Sequence, residues 1–179
     1  MAKKIIKGLT IIYTGCGKGK TTAALGLALR AAGYNKKTLI IQFGKKSFSG
    51  EMESIKLLAP LVKLVQGGKG FVGILGDKLN LEEHKSAAKK TFEILKKEII
   101  SDKWDIIVAD EVLGVILGGL IKEQQLIKLI KTKPKKLDLV LTGRGASDLI
   151  IQNTDLVTEM KSIKHPYEKG IKAKEGIDY

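Results

Sequence analysis

With one cysteine in 179 residues the chain cannot form an internal disulfide, a composition that suits a reducing compartment. Aromatic residues make up only 5%, which leaves little material for the base-stacking platforms that grip single-stranded nucleic acid. No apolar run approaches the roughly 20 residues needed to cross a bilayer. The longest, Val112 to Ile121, is cut by Gly114, Gly118 and Gly119. Met1 to Lys7 carries lysines but no extended apolar segment or cleavage site, so no secretory signal is expected and a cytoplasmic location is the default. There is no internal repeat, no low-complexity tract and, with three prolines in all, no proline-rich linker. A single nucleotide-binding domain over residues 1–179 is therefore expected.

Acidic residues are also scarce: 19, against 32 lysines and arginines, giving a net charge of +13. Such an excess attracts polyanions. The lysines, however, are spread along the whole chain, which reads as a solvated surface, so neither a nucleic-acid nor a membrane partner is expected. The hydrophobic fraction of 44% is enough for a packed core.

What the sequence does have is short β-branched runs alternating with helical periodicity. Leu9–Tyr13, Thr38–Phe43, Trp104–Ala109 and Leu137–Leu141 read as buried strands, Val62–Gln66 as a weaker one and Leu156–Met160 as the last. Helices are expected from Thr21 to Gly33, from Leu81 to Ile100 behind an Asn80 N-cap, over Lys122–Lys131, and from a Ser147 or Asp148 cap to Gln152. Gly44 to Gly50 reads as a polar loop. The alternation predicts an α/β fold: a phosphate-loop, RecA-like parallel sheet with helices on both faces. Ligands of such sheets bind beyond the carboxyl ends of the strands. The turns after Tyr13, Phe43, Ala109 and Leu141 all fall on that edge.

The first of these turns is Thr14-Gly15-Cys16-Gly17-Lys18-Gly19-Lys20-Thr21-Thr22. A phosphate site needs glycines so that successive N–H groups turn inward, a helix N-terminus facing the anion, a lysine for its charge and a hydroxyl for Mg²⁺. Gly15, Gly17 and Gly19 meet the first need, Lys20 the third, and Thr21 or Thr22 the fourth. Thr14 stands where the common pattern has its first glycine, and Lys18 is an additional cation. Cys16 reads as a tolerated small loop residue. Asp110 and Glu111 end a strand where a magnesium carboxylate belongs, and Glu111 can position a metal ion or a water. Arg144, between Gly143 and Gly145, is placed to reach a phosphate or carboxylate.

These residues, with Gln42-Phe43, Gly50-Glu51, Thr142-Gly143-Arg144-Gly145 and a tail containing Lys164-His165-Pro166-Tyr167 and Gly176-Ile177-Asp178-Tyr179, resemble the phosphate-loop cob(I)alamin (corrinoid) adenosyltransferases. The likeness runs from Gly8 to Tyr179, and that family shares the atypical loop. It implies ATP, Mg²⁺ and a reduced corrinoid, with Co(I) attacking the 5′ carbon of ATP and triphosphate leaving. On that reading Lys20, Lys18 and Glu111 are catalytic. Residues 14–22, Arg144 and Phe71 contact substrates, and Thr21, Asp110 and Glu111 serve the metal. The resemblance also implies a homodimer and an electron-donor protein. His165, before a proline, reads as structural. The other class the residues allow is a RecA-like nucleic-acid-associated ATPase, which would release ADP and phosphate; a small-molecule kinase would phosphorylate an acceptor.

Overall fold

The computed structural model describes residues 7–45, 48–70 and 80–179. Six parallel strands form one sheet: β1 (Thr10–Thr14), β2 (Thr38–Gln42), β3 (Val62–Gln66), β4 (Ile106–Asp110), β5 (Asp138–Thr142) and β6 (Leu156–Glu159). Their spatial order is β3-β2-β4-β5-β1-β6. Around them lie α1 (Lys20–Ala32), α2 (Glu51–Ser54), α3 (Leu81–Ile99), α4 (Val112–Leu117), α5 (Glu123–Thr132) and α6 (Asp148–Gln152).

Side chains alternate across the pleat, and the alternation divides the core in two. Leu39, Ile41, Ile107, Leu139 and Leu141 face α3, α4 and α5. Ile40, Ile106, Val108 and Val140 face Ala24 and Ala28 of α1 and Ile55 on the other side. A central strand covered on both faces has no polar face to show, which explains the unbroken apolar runs. In α3 the apolar spacing puts Ala88, Phe92, Leu95 and Ile99 against the sheet. Asn80 caps it in a reciprocal box with Glu83.

Three features add to the sequence reading. The glycine-cut run beginning at Val112 contains a helix, α4, because Val112, Leu113 and Val115 bury one face against the sheet. After the loop that ends at Gly50, the stretch to which the sequence assigns no element forms α2 and a 3-10 turn, Ile55–Leu58. Finally β6, apolar in sequence, is an edge strand with Leu156 and Val157 over a third exposed.

Candidate functional site

β1 ends at Thr14, and the chain turns through the glycine-rich loop into α1. Gly15 lies at φ +97°, and a Cβ there would stand 2.3 Å from the Met160 carbonyl oxygen. The close approach has a purpose: Gly17 N–H donates to Met160 O at 2.7 Å and Met160 N–H to Thr14 O at 2.8 Å, so the chain leaving β6 backs the loop. Lys20, the first residue of α1, is buried and folds back, its ammonium donating to Gly15 O at 2.9 Å and Gly17 O at 2.7 Å. The loop thus encircles its own lysine, with the helix N-terminus behind it. Burial pulls the Lys20 ammonium below the ordinary lysine range; Glu111 opposes that fall and Arg144 adds to it.

Thr21 settles which hydroxyl meets the strand-end carboxylate. Its Oγ1 donates to Asp110 Oδ1 at 2.9 Å. Asp110, 1% exposed, also accepts from Thr142 Oγ1 on Oδ1 at 2.7 Å and from Gln42 Nε2 on Oδ2 at 3.2 Å. An ionised carboxylate surrounded by donors stays acceptor-only. The adjoining Glu111 takes a left-handed conformation, φ 62°, and its N–H donates to Thr142 Oγ1 at 2.8 Å. Burial pushes its carboxyl above the usual range, as does Asp110, against Lys20, Arg144 and Lys45. Hydroxyl and carboxylate in contact are hard oxygen donors of the kind Mg²⁺ takes alongside nucleotide phosphates. Among the described residues no group of three or more His, Cys, Asp or Glu side chains forms a self-sufficient metal cage. The residues present therefore fit a magnesium ion carried with a nucleotide.

The loop opens on a cleft of about 1570 Å³, lined by residues 16–22, Glu111 and Arg144. Thr14 is buried beneath it, its Oγ1 accepting from Ala146 N–H. Thr22 and Cys16 are exposed at its mouth. Arg144 is exposed between left-handed Gly143 and Gly145, and a Cβ on Gly143 would lie 2.7 Å from Gly114 N, so only glycine lets β5 deliver the arginine there. Phe71 lies outside the described residues.

Lys18 does not turn inward. Its Nζ pairs with Asp178 Oδ1 in the tail at 2.6 Å, both side chains partly exposed. The same Asp178 accepts from Lys174 N–H, closing the tail turn. Exposed ion pairs are worth ~0–1 kcal/mol. Lys18→Ala is accordingly expected to weaken ATP binding by less than about fivefold in calorimetric titration. His165 is used locally: its Nδ1 accepts from Tyr167 N–H and caps a 3-10 turn, Pro166–Lys169.

In the sequence Gln42, Glu51 and Thr142 stand out only as parts of motifs, and Lys45 not at all. Glu51 accepts from Gln42 Nε2 at 3.2 Å and pairs with the Lys45 ammonium. Burial alone would raise the Glu51 carboxyl, yet the Lys45 and Ser49 contacts outweigh it and hold it at about 2. The available signal was a polar residue closing an otherwise apolar strand: Gln42 and Thr142 end β2 and β5 as Asp110 ends β4.

Together, the parallel sheet, the loop closed on its lysine and the threonine–aspartate contact define a phosphate-loop protein of the RecA-like class. A KaiC-like protein from the archaeon Pyrococcus horikoshii shares this fold, at a TM-score of 0.53 and 16% identity over 86% of this chain and 73% of that one. Sequence comparison narrows the class: a family model described as ATP:corrinoid adenosyltransferase BtuR/CobO/CobP matches residues 6–179. A corrinoid adenosyltransferase from Escherichia coli K12 is 32% identical over 97% of this chain and 86% of its own length. One from a Sinorhizobium species is 34% identical over 97% and 81%. The chain belongs to the corrinoid adenosyltransferase family and is a transferase.

Proposed function

We propose that the protein transfers the adenosyl group of MgATP to a reduced corrinoid. Co(I) supplies the electron pair to the 5′ carbon, the cobalt–carbon bond forms, and the carbon–oxygen bond breaks with its electrons leaving on triphosphate. Such a nucleophile needs no general base, so the protein's work is placement and charge stabilisation. Lys20 gives up Gly15 O and Gly17 O for phosphate oxygens, and loop N–H groups other than that of Gly17, which Met160 O engages, supply the remaining donors. Arg144 adds a second cation at the cleft wall, while Lys18 stays paired with Asp178. Thr21 and Asp110, with Glu111 beside them, would hold a magnesium ion, which would supply positive charge to the triphosphate.

The observation that carries this reading is the cleft. Its volume of about 1570 Å³ exceeds the ~300–1,000 Å³ of ordinary ligand pockets. Beyond the loop its walls include Leu25, Leu29, Leu57 and Leu117, apolar surface suited to a macrocycle rather than to further phosphate. None of the described helices is long and apolar enough to cross a membrane. A cytoplasmic homodimer, supplied with Co(I) by an electron-donor protein, completes the reading on the strength of the family resemblance. The test is incubation of protein, ATP and Mg²⁺ with chemically reduced corrinoid. The reading predicts the absorbance change of a cobalt–carbon bond and release of triphosphate in equal amount. ADP and phosphate, stimulated by nucleic acid, would instead mark a RecA-like ATPase.

A further inference from the structure

Gln42 is completely buried at the end of β2, in register with Asp110 on one side and Gln66 on the other. A carboxamide can present either its oxygen or its nitrogen to a neighbour, and here the neighbours leave no choice. Gln66 Nε2 donates to Gln42 Oε1 at 3.0 Å. That turns the Gln42 nitrogen toward Asp110 Oδ2 and Glu51 Oε1, each at 3.2 Å. Two acceptor-only carboxylates take its two N–H bonds. Glu51 is fixed in turn by Lys45, which also lines the cleft. A chain of contacts therefore runs from the cleft wall at Lys45, through Glu51 and Gln42, to the carboxylate that touches Thr21.

We propose that Gln42 is a positioning residue for the metal carboxylate: its amide ties Asp110 to the Lys45–Glu51 pair, so that the segment after β2 sets where Asp110 stands for magnesium. This rests on the reading that Thr21 and Asp110 hold a magnesium ion brought with ATP. Groups that orient a metal-binding carboxylate typically govern affinity by ~10–100-fold when removed. A residue that merely filled the core would alter stability and leave the metal dependence of binding alone.

Calorimetric titration with ATP, in EDTA and then in Mg²⁺, separates the two. Wild type is expected to bind ATP more tightly with Mg²⁺. Gln42→Leu, of similar volume, is expected to cut that tightening by at least about tenfold while ATP binding in EDTA changes less than about twofold. Glu51→Gln is expected to reduce the tightening in the wild-type background and to add nothing in the Gln42→Leu background, because the two act through one contact. If Gln42→Leu fails to fold, the Glu51→Gln arm decides alone. Full retention of the Mg²⁺ effect in Gln42→Leu, or in Glu51→Gln where only that variant folds, overturns the proposal. Absence of any Mg²⁺ effect in wild type overturns the metal reading beneath it.

Discussion

Lys20→Ala is expected to weaken ATP binding by about 10²–10³-fold, the cost of truncating one side of a buried, hydrogen-bonded charge pair. Two features make the loss large. The ammonium stands within the ring of loop backbone where phosphate must sit, and the cations beside it among the described residues are engaged elsewhere or stand at the wall: Lys18 is held by Asp178, Lys45 by Glu51, and Arg144 is exposed. In the free protein the same substitution removes both donors that close the loop, so a lower melting temperature is expected, by the equivalent of ~1–3 kcal/mol. The contrast with Lys18→Ala is the sharper reading, because the two lysines lie in one motif and differ only in where they point. Equal losses at both positions would mean that nucleotide binding pulls Lys18 away from the tail. ATP affinity within threefold of wild type in Lys20→Ala would remove the phosphate grip from the account.

Asp110→Asn carries the second large effect. Every polar group around the carboxylate is a donor: Thr21 and Thr142 hydroxyls on one oxygen, the Gln42 amide on the other. An asparagine must direct its own NH₂ at one of these donors. The Thr142 hydroxyl accepts from Glu111 N–H and donates to Asp110, so turning it to accept from the asparagine strips its own O–H of its acceptor inside the core. The negative charge offered to magnesium is lost as well. Turnover is expected to fall by at least about 10²-fold, with the Mg²⁺-dependent part of ATP affinity removed and the Mg²⁺-independent part kept. Calorimetry in EDTA and in Mg²⁺ reads both. Unchanged Mg²⁺ dependence would place the metal elsewhere.

Much of this arrangement is visible in the amino-acid order because the contacts that make it are local. Asn80 and Glu83 cap α3 across three residues, and the glycines around Lys20 shape a loop inside a single turn. The unbroken apolar runs of β2, β4 and β5 announce a sheet covered on both sides, since only a double cover leaves no place for polar alternation. The convergence of strand ends then follows from the parallel topology. What is not visible is set by distant partners. Asp178 occupies Lys18 from 160 residues away, and although the Gly-Lys-Thr pattern singles out Lys20, nothing in the loop's own sequence says where the additional lysine points. Gln42 looks like the polar end of a strand until β4 places Asp110 beside it. In α4 burial of Val112, Leu113 and Val115 outweighs the poor helix propensity of Gly114, while Gly118 and Gly119 end the helix. For β6 the sequence marks a last strand, and only the topology shows that it lies at the sheet edge and is exposed.

On the proposed function this phosphate loop holds triphosphate as a leaving group, and the bond broken in ATP lies at the sugar carbon. The most direct measurement is the phosphate product formed from γ-labelled ATP with Mg²⁺ and chemically reduced corrinoid. Intact triphosphate, equal in amount to the adenosylated corrinoid, is the predicted result. Labelled inorganic phosphate with ADP, and no adenosylated corrinoid, would contradict it.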